Sequence, residues 1–228
     1  MGFDFSPIIL SLKVAGAAVL VVVCFAIPIA TLMAKHQFPG KNILESILTL
    51  PLVLPPSVVG FILLYIFGKN GPLGKFLLHT FDTQIVFTLT GATIASAVVA
   101  FPLMYQSVKA AIESIDVKLE NAARTLGAGE LRVFFTITIP LAWNGVIAGF
   151  VLAFARSLGE FGATLMIAGN IPGRTQTMPL AIYIASESGQ TREAWILVSI
   201  MVLFSFLVIY GLNYWGKGSK NRSGGGAI

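Results

Sequence analysis

Five long apolar runs organise the chain, at residues 8–33, 44–67, 85–108, 141–168 and 195–215. Each can cross the roughly 30 Å hydrocarbon core of a bilayer as a helix, straight or tilted. None alternates apolar and polar residues with a period of two, so a membrane barrel is disfavoured. The pattern predicts an all-α, polytopic membrane protein with about five transmembrane helices. The first run exceeds the roughly 7–15 residues of a secretory signal core, and only Asp4 precedes it, with no basic cluster. It reads as a retained first helix.

The polar stretches between the runs set the topology. Five crossings place the two termini on opposite sides. Lys35, Lys41, Lys109, Lys118, Arg124, Arg132, Lys217, Lys220 and Arg222 fall on one side, nine in all, against five on the other: Lys13, Lys69, Lys75, Arg174 and Arg192. Basic residues accumulate in cytoplasmic loops. The N-terminus is therefore expected outside and the C-terminus in the cytoplasm of a multi-pass cell-membrane protein. Residues 1–216 read as one transmembrane unit and 217–228 as a flexible, solvated tail.

Composition agrees. Apolar residues make up 56% of the chain and charged residues 11%, with mean hydropathy +0.85; soluble domains run at about 25% charged. An ordinary soluble enzyme and a disordered chain are excluded. The net charge of +5 follows from lipid topology and does not call for nucleic acid. The single cysteine, Cys24, leaves no internal disulfide.

Proline interrupts several runs. It is common in membrane helices, as at Pro28 and Pro102. LPLVLPPSVVG is different, because Pro51, Pro55 and Pro56 remove three backbone donors within a short stretch. Irregular backbone at membrane depth is tolerated only inside protein or beside a watery cavity. This segment, with Ser57 next to it, is expected to face a pathway or a partner helix.

Residues 109–140 are the most informative. Ile112, Ile115, Leu119, Ala122 or Ala123, and Leu126 recur at spacings of three and four, which predicts one face of a helix. Glu113, Asp116, Lys118, Glu120 and Arg124 occupy the rest. Gly127 and Gly129 are expected to stop it, with a second short helix from Glu130 toward Pro140. Such a unit can lie on lipid or dock in a protein groove. The small Ala122 and Ala123 and the glycine break favour the groove, because small side chains let another backbone approach.

On these residues the chain resembles the inner-membrane permeases of bacterial ABC importers. Their cytoplasmic signature reads Glu-Ala-Ala, three residues, Gly, nine residues, Ile-x-Leu-Pro. Ala122, Ala123, Gly127, Ile137 and Pro140 fall in place. Asn121 stands where the signature has glutamate, with Glu120 one residue earlier, and Ile139 replaces leucine. LPLVLPPSVVGFILL, DVKLENAARTLGAGELRVFFTITIPLA, FARSLGEFGATLMIAGNIPGRTQTMP and FPGK at 38–41 are similar to the molybdate branch, while sulfate permeases share the FAR-x-x-GEFGA style of segment.

The resemblance implies a permease domain over 1–216 that forms the path for molybdate or tungstate, with sulfate the alternative cargo. Its coupling segment, 109–140, would present Glu120, Ala122, Ala123, Arg124, Thr125, Leu126, Gly127 and Ala128 to a separate ATPase, and Ile137 and Pro140 would end the motif. It further implies a homodimer in the lipid bilayer, two copies of an ABC ATPase subunit and an extracytoplasmic molybdate-binding protein, with no nucleic acid, cofactor or metal.

Arg156 and Glu160 interrupt the fourth run at a spacing of four. Ionisable residues at membrane depth mark functional sites or compensated pairs. The two can pair and orient the helix, or Arg156 can draw in an oxyanion while Glu160 holds it in position. Ser157, Gly159, Gly162 and Thr164 add small or hydroxylic surface, and Phe161 is a candidate apolar plug. Ser57, Arg156, Glu160, Phe161, Gly162 and Thr164 are thus the candidate pathway residues. Gly145 and Gly149 give a spacing suited to close helix contact, including contact across a dimer.

Catalytic patterns are missing from the sequence. GLNYWGK at 211–217 is followed by Gly218, where a nucleotide-binding loop needs Ser or Thr. His36 and His79 are isolated, without zinc spacing. The chain is expected to be no enzyme, with ATP hydrolysed by a partner. An ATP-independent secondary transporter would call for internal repeats and intramembrane carboxylates, and a membrane enzyme for a polar catalytic cluster; the sequence favours neither.

Overall fold

The computed structural model describes residues 4–223, and its long helices follow from the apolar runs and their breakers. α1 (Ser6–Lys35) is the first run. α2 (Lys41–Val53) and α3 (Pro56–Phe67) divide the second. α4 (Pro72–Phe81) is a short amphipathic connector before α5 (Leu89–Glu113). α6 (Val117–Thr125) and α7 (Glu130–Val133) follow, and a π-helical turn (Phe134–Thr138) leads from α7 into α8 (Ile139–Leu158). α9 (Gly162–Ala168), α10 (Met178–Glu187) and α11 (Thr191–Ser223) complete the order. Four stretches are long and apolar enough to cross a membrane: Ser6–Lys35, Leu89–Glu113, Glu130–Leu158 and Thr191–Gly211; the bent pair α2–α3 makes a fifth if counted as one span. Of the tail expected at 217–228, residues up to Ser223 continue α11, and 224–228 lie outside the described residues.

α5 is the central span, packed between α1 and α8. Lipid tails are as apolar as leucine, so helices in a bilayer associate by close packing and not by a hydrophobic drive. Small residues supply it. Ala15, Ala18, Val22, Ala26 and Ala30 form one buried stripe on α1, and Ala92, Ala95 and Ala100 are fully buried on α5. A Cβ on Gly145 would lie 2.3 Å from that of Ala111, and one on Gly149 2.8 Å from Met104 Sδ. Ser107 Oγ donates to the Gly145 carbonyl at 2.9 Å. The Gly145–Gly149 spacing therefore serves α5–α8 packing within the chain.

Three stretches are broken, the second run where its prolines lie. The second bends by 114° between α2 and α3. A residue before proline is pushed to extended backbone, and both Leu54 (ψ 141°) and Pro55 (ψ 134°) precede one. The fourth run stops at Leu158 and restarts as α9. The helix expected through 112–126 is two: α5 ends at Glu113, and the Asp116 carboxylate caps α6 by accepting from the Lys118 N–H at 2.9 Å.

Candidate functional site: the coupling segment and the junction of the broken spans

α6 stands at the end of the bundle where α1 and α5 finish and α8 begins. Its C-terminus is built by Gly127, at φ +86°, a conformation only glycine takes without strain. There the Gly127 N–H bonds to Arg124 O at 2.9 Å and the Ala128 N–H to Ala123 O at 3.0 Å, the Schellman pattern that satisfies the last carbonyls. The sequence expectation of a glycine stop and a restart at Glu130 matches this geometry.

One side of the segment faces inward. Glu120 is buried. Its Oε1 accepts from Lys35 Nζ, the end of α1, at 2.6 Å and from Thr138 Oγ1 at 2.6 Å. Lys35 Nζ also donates to Thr138 Oγ1 at 3.0 Å. Arg124 forks onto Glu130, Nε to Oε1 at 2.6 Å and Nη2 to Oε2 at 3.1 Å, and reaches Asn121 Oδ1 at 2.9 Å. Its Nη2 lies 3.4 Å from Glu120 Oε2. The other side is open: Leu119, Ala122 and Leu126, spaced by three and four, are exposed, Leu126 by 88%, and Val117, Leu131 and Phe135 are exposed around the segment too. Thr125 and Gly127 are exposed, while Ala123, Arg124, Ala128 and Ile137 are half-buried and Pro140 is exposed. Leu131 and Phe135 extend this ridge beyond the residues the signature singles out. Lys35 and Thr138 lie 85 and 18 positions from Glu120, separations over which local spacing carries no signal.

Burial raises the proton affinity of Glu120, but the hydrogen bonds from Lys35 and Thr138 and the charges of Lys35 and Arg124 outweigh it and hold its carboxyl below the usual glutamate range. A carboxyl lowered in the folded state adds stability above its unfolded value, about 4.3, and that stability is lost as pH falls through the folded value. The purified wild-type protein should therefore lose thermal stability on acidification below about pH 4.3. Glu120→Gln should be less stable at neutral pH and show a smaller acid loss. Identical acid slopes for the two proteins would refute this.

A second cluster lies at the two breaks. Arg156 Nη1 lies 2.8 Å from Glu160 Oε2, and Glu160 Oε1 accepts from the Ala163 N–H at 2.8 Å. Glu160 is thus both the counter-charge of Arg156 and an acceptor for a backbone N–H in the first turn of α9. Its side chain is 1% exposed, and that of Arg156 30%. The first turn of α9 meets the first turn of α3: a Cβ on Gly162 would lie 3.2 Å from Pro56 Cβ and 3.3 Å from Ser57 N. Ser57 is exposed beside this contact. The structure so gathers Ser57, Arg156, Glu160 and Gly162 through contiguous contacts. Phe161 packs on Tyr183 of α10, ring centroids 5.2 Å apart. Thr164 is fully buried in the packing of α9 and lines no surface.

The model of the family described as "Binding-protein-dependent transport system inner membrane component" matches residues 26–216. The chain is 49% identical over 205 residues to the molybdenum transport system permease protein ModB of Escherichia coli K12, covering 88% of this chain and 90% of that one. It is 44% identical over 226 residues to ModB of Haemophilus influenzae, covering 99% of each. Against the sulfate transport system permease protein CysT of Salmonella typhimurium the identity is 34% over 189 residues, 83% of this chain and 68% of that one. Among solved structures, a bacterial ABC transporter involved in the import of the acidic polysaccharide alginate superposes with a TM-score of 0.74, over 93% of this chain and 78% of that chain, at 15% identity; this likeness concerns the fold. With the signature, the broken spans and these likenesses together, the chain belongs to the family of binding-protein-dependent transport system inner membrane components.

Proposed function

We propose that this chain is the path-forming membrane subunit of an ATP-driven importer for tetrahedral oxyanions, molybdate first and tungstate with it. The observation that carries the reading is the capped, two-sided coupling segment: ion-paired to the bundle on one side and exposing Leu119, Ala122 and Leu126 on the other. A groove on a separate ATPase is the partner this shape fits. The greater identity to molybdenum than to sulfate permeases supports molybdate over sulfate as cargo.

Two copies form the path, since five spans of this length enclose little space. Exposed apolar residues on α2 and α3, among them Ile43, Ile47, Val53, Phe61 and Tyr65, offer surface for that contact. Each coupling segment seats on one ATPase copy. The α6 end, where Lys35, Lys109, Lys118, Arg124 and Arg132 gather, faces the cytoplasm by the positive-inside rule, which places the N-terminus outside. Arg156 follows Thr138 by 18 residues, about 27 Å of helix at 1.5 Å per residue, so it belongs to the outer part of the span. There an extracytoplasmic binding protein delivers the ion near the loops at 69–75 and 170–177. Arg156 attracts the dianion while remaining paired with Glu160, so that binding stays weak enough for release. ATP-driven closure of the ATPases shifts the coupling segments and exchanges one packed state for another.

The test is uptake of radiolabelled molybdate into vesicles holding the assembled complex with its ATPase and binding protein. Uptake should require ATP hydrolysis and be competed more strongly by tungstate than by sulfate. Uptake driven by an ion gradient without the ATPase would instead support a secondary transporter. Gly127→Asp sharpens the test. A Cβ there meets nothing within 4 Å, and although the left-handed backbone strains any side chain, aspartate tolerates it better than most residues. The fold should survive, while a charge on the docking side should weaken ATPase binding at least about tenfold, near 1.4 kcal/mol. Undiminished docking and uptake would remove the coupling assignment.

A further inference from the structure

The acidic residue of the coupling segment has two places to be: toward the ATPase, as the signature's glutamate position suggests, or toward its own membrane helices. Glu120 takes the second. Its carboxylate is buried, and Lys35 of α1, Thr138 of the π-turn and Arg124 of α6 surround it. The three hydrogen bonds among Lys35, Thr138 and Glu120 close a ring: lysine donates to both partners, and the threonine O–H donates to the carboxylate. Each corner stands on a different element. Thr138 is the last residue of the π-turn and is fully buried. A π-turn inserts an extra residue into a helix and recurs at functional sites; here it sets the hydroxyl where the coupling segment can reach it.

From this we infer that Lys35, Glu120 and Thr138 are positioning residues that lock α6 to α1 and to the entry of α8, so that displacement of the coupling segment becomes displacement of two spans. The latch rests on the functional reading above. It transmits motion and takes no part in holding the ATPase. α1 and α8 both pack on α5, so a displaced pair carries the central span's surroundings with it. The ring is a compact joint: charge-assisted hydrogen bonds are short and strong, which makes it a rigid link and not a tether. Arg124, forked onto Glu130, ties α6 to α7 across the glycine loop.

The experiment uses the complete complex in vesicles and reads three quantities: ATPase retained on the membrane subunit, ATP hydrolysed, and molybdate taken up per ATP. Lys35→Met, Glu120→Gln and Thr138→Val should keep the ATPase bound and hydrolysing, while uptake per ATP falls roughly 2- to 30-fold, the range over which coupling residues act. Thr138→Ser, which keeps the hydroxyl, should behave as wild type, and exchanging the charges (Lys35→Glu with Glu120→Lys) should recover part of the loss. Threonine and valine differ little in volume, so Thr138→Val decides the matter even if the charge variants fail to fold. Loss of ATPase binding in Glu120→Gln would show that the carboxylate faces the partner, and unchanged uptake per ATP in Thr138→Val would show a passive contact; either overturns the inference. If the unmutated complex hydrolyses no ATP during uptake, the functional reading falls, and the latch with it.

Discussion

Replacing Arg156 by methionine is expected to destabilise the protein by roughly 3–5 kcal/mol, the cost of leaving a buried charge without its partner. Glu160 is the reason. Its side chain is 1% exposed, and its other oxygen is committed to the Ala163 N–H. Arg156 itself is partly exposed, so the loss comes from the abandoned carboxylate more than from the arginine. The double variant Arg156→Met with Glu160→Gln removes the charge but keeps an acceptor for Ala163, and should recover most of the stability. Thermal unfolding of the purified variants measures both, and a double-mutant cycle isolates the coupling. Uptake separates the two roles open for the pair. If Arg156 serves only to compensate Glu160, the double variant transports; if it draws in the anion, stability returns and uptake does not. A single variant as stable as wild type would contradict the buried pair.

Gly60→Val should have the next largest effect. A Cβ at Gly60 would stand 2.7 Å from Ala163 Cα and from Met166 Cβ, and 2.9 Å from Ala163 O. Two of these atoms are backbone and cannot swing aside. Overpacking of this kind costs roughly 1–3 kcal/mol, and it would pry α3 from α9, the contact that holds the two broken spans together. Uptake should be lost while ATPase binding at the distant coupling segment persists. Gly162→Ala is the graded control: its nearest neighbours stand at 3.2 and 3.3 Å, so a small shift accommodates it and uptake should fall only partly. Equal tolerance of valine at both positions would mean that this junction is loose.

How far the sequence reached is clearest from these two sites. The spacing of Arg156 and Glu160 already placed them on one helical face, and the pair is there, although Glu160 lies just past the end of α8. Gly127 was legible as a stop because a left-handed cap has few chemical solutions. The three prolines marked an interruption, but a bend of 114° depends on consecutive pre-proline residues both going extended, and only the backbone shows which way the chain then turns. Asp116 was a readable cap, yet the apolar spacing through Ile115 and Leu119 hid it. α4 and α10 are short and carry polar residues, so no long run announced them. Lys35 and Thr138 were beyond local reasoning, because their meeting with Glu120 is made by the packing of α1 against α8. Pattern reports what a segment does with its own neighbours; the joint between segments is written in tertiary distances.

The proposed seating of the exposed α6 ridge on a cytoplasmic ATPase is tested most directly at that ridge. Leu126, 88% exposed, is its most open residue. With Cys24 replaced by serine, Leu126→Cys becomes the only thiol. In intact cells it should resist a membrane-impermeant thiol reagent added outside, and in inverted vesicles it should form a cross-link to the ATPase subunit that changes with bound nucleotide. Labelling from outside intact cells, or an accessible thiol that never joins the ATPase in the assembled complex, would contradict the account.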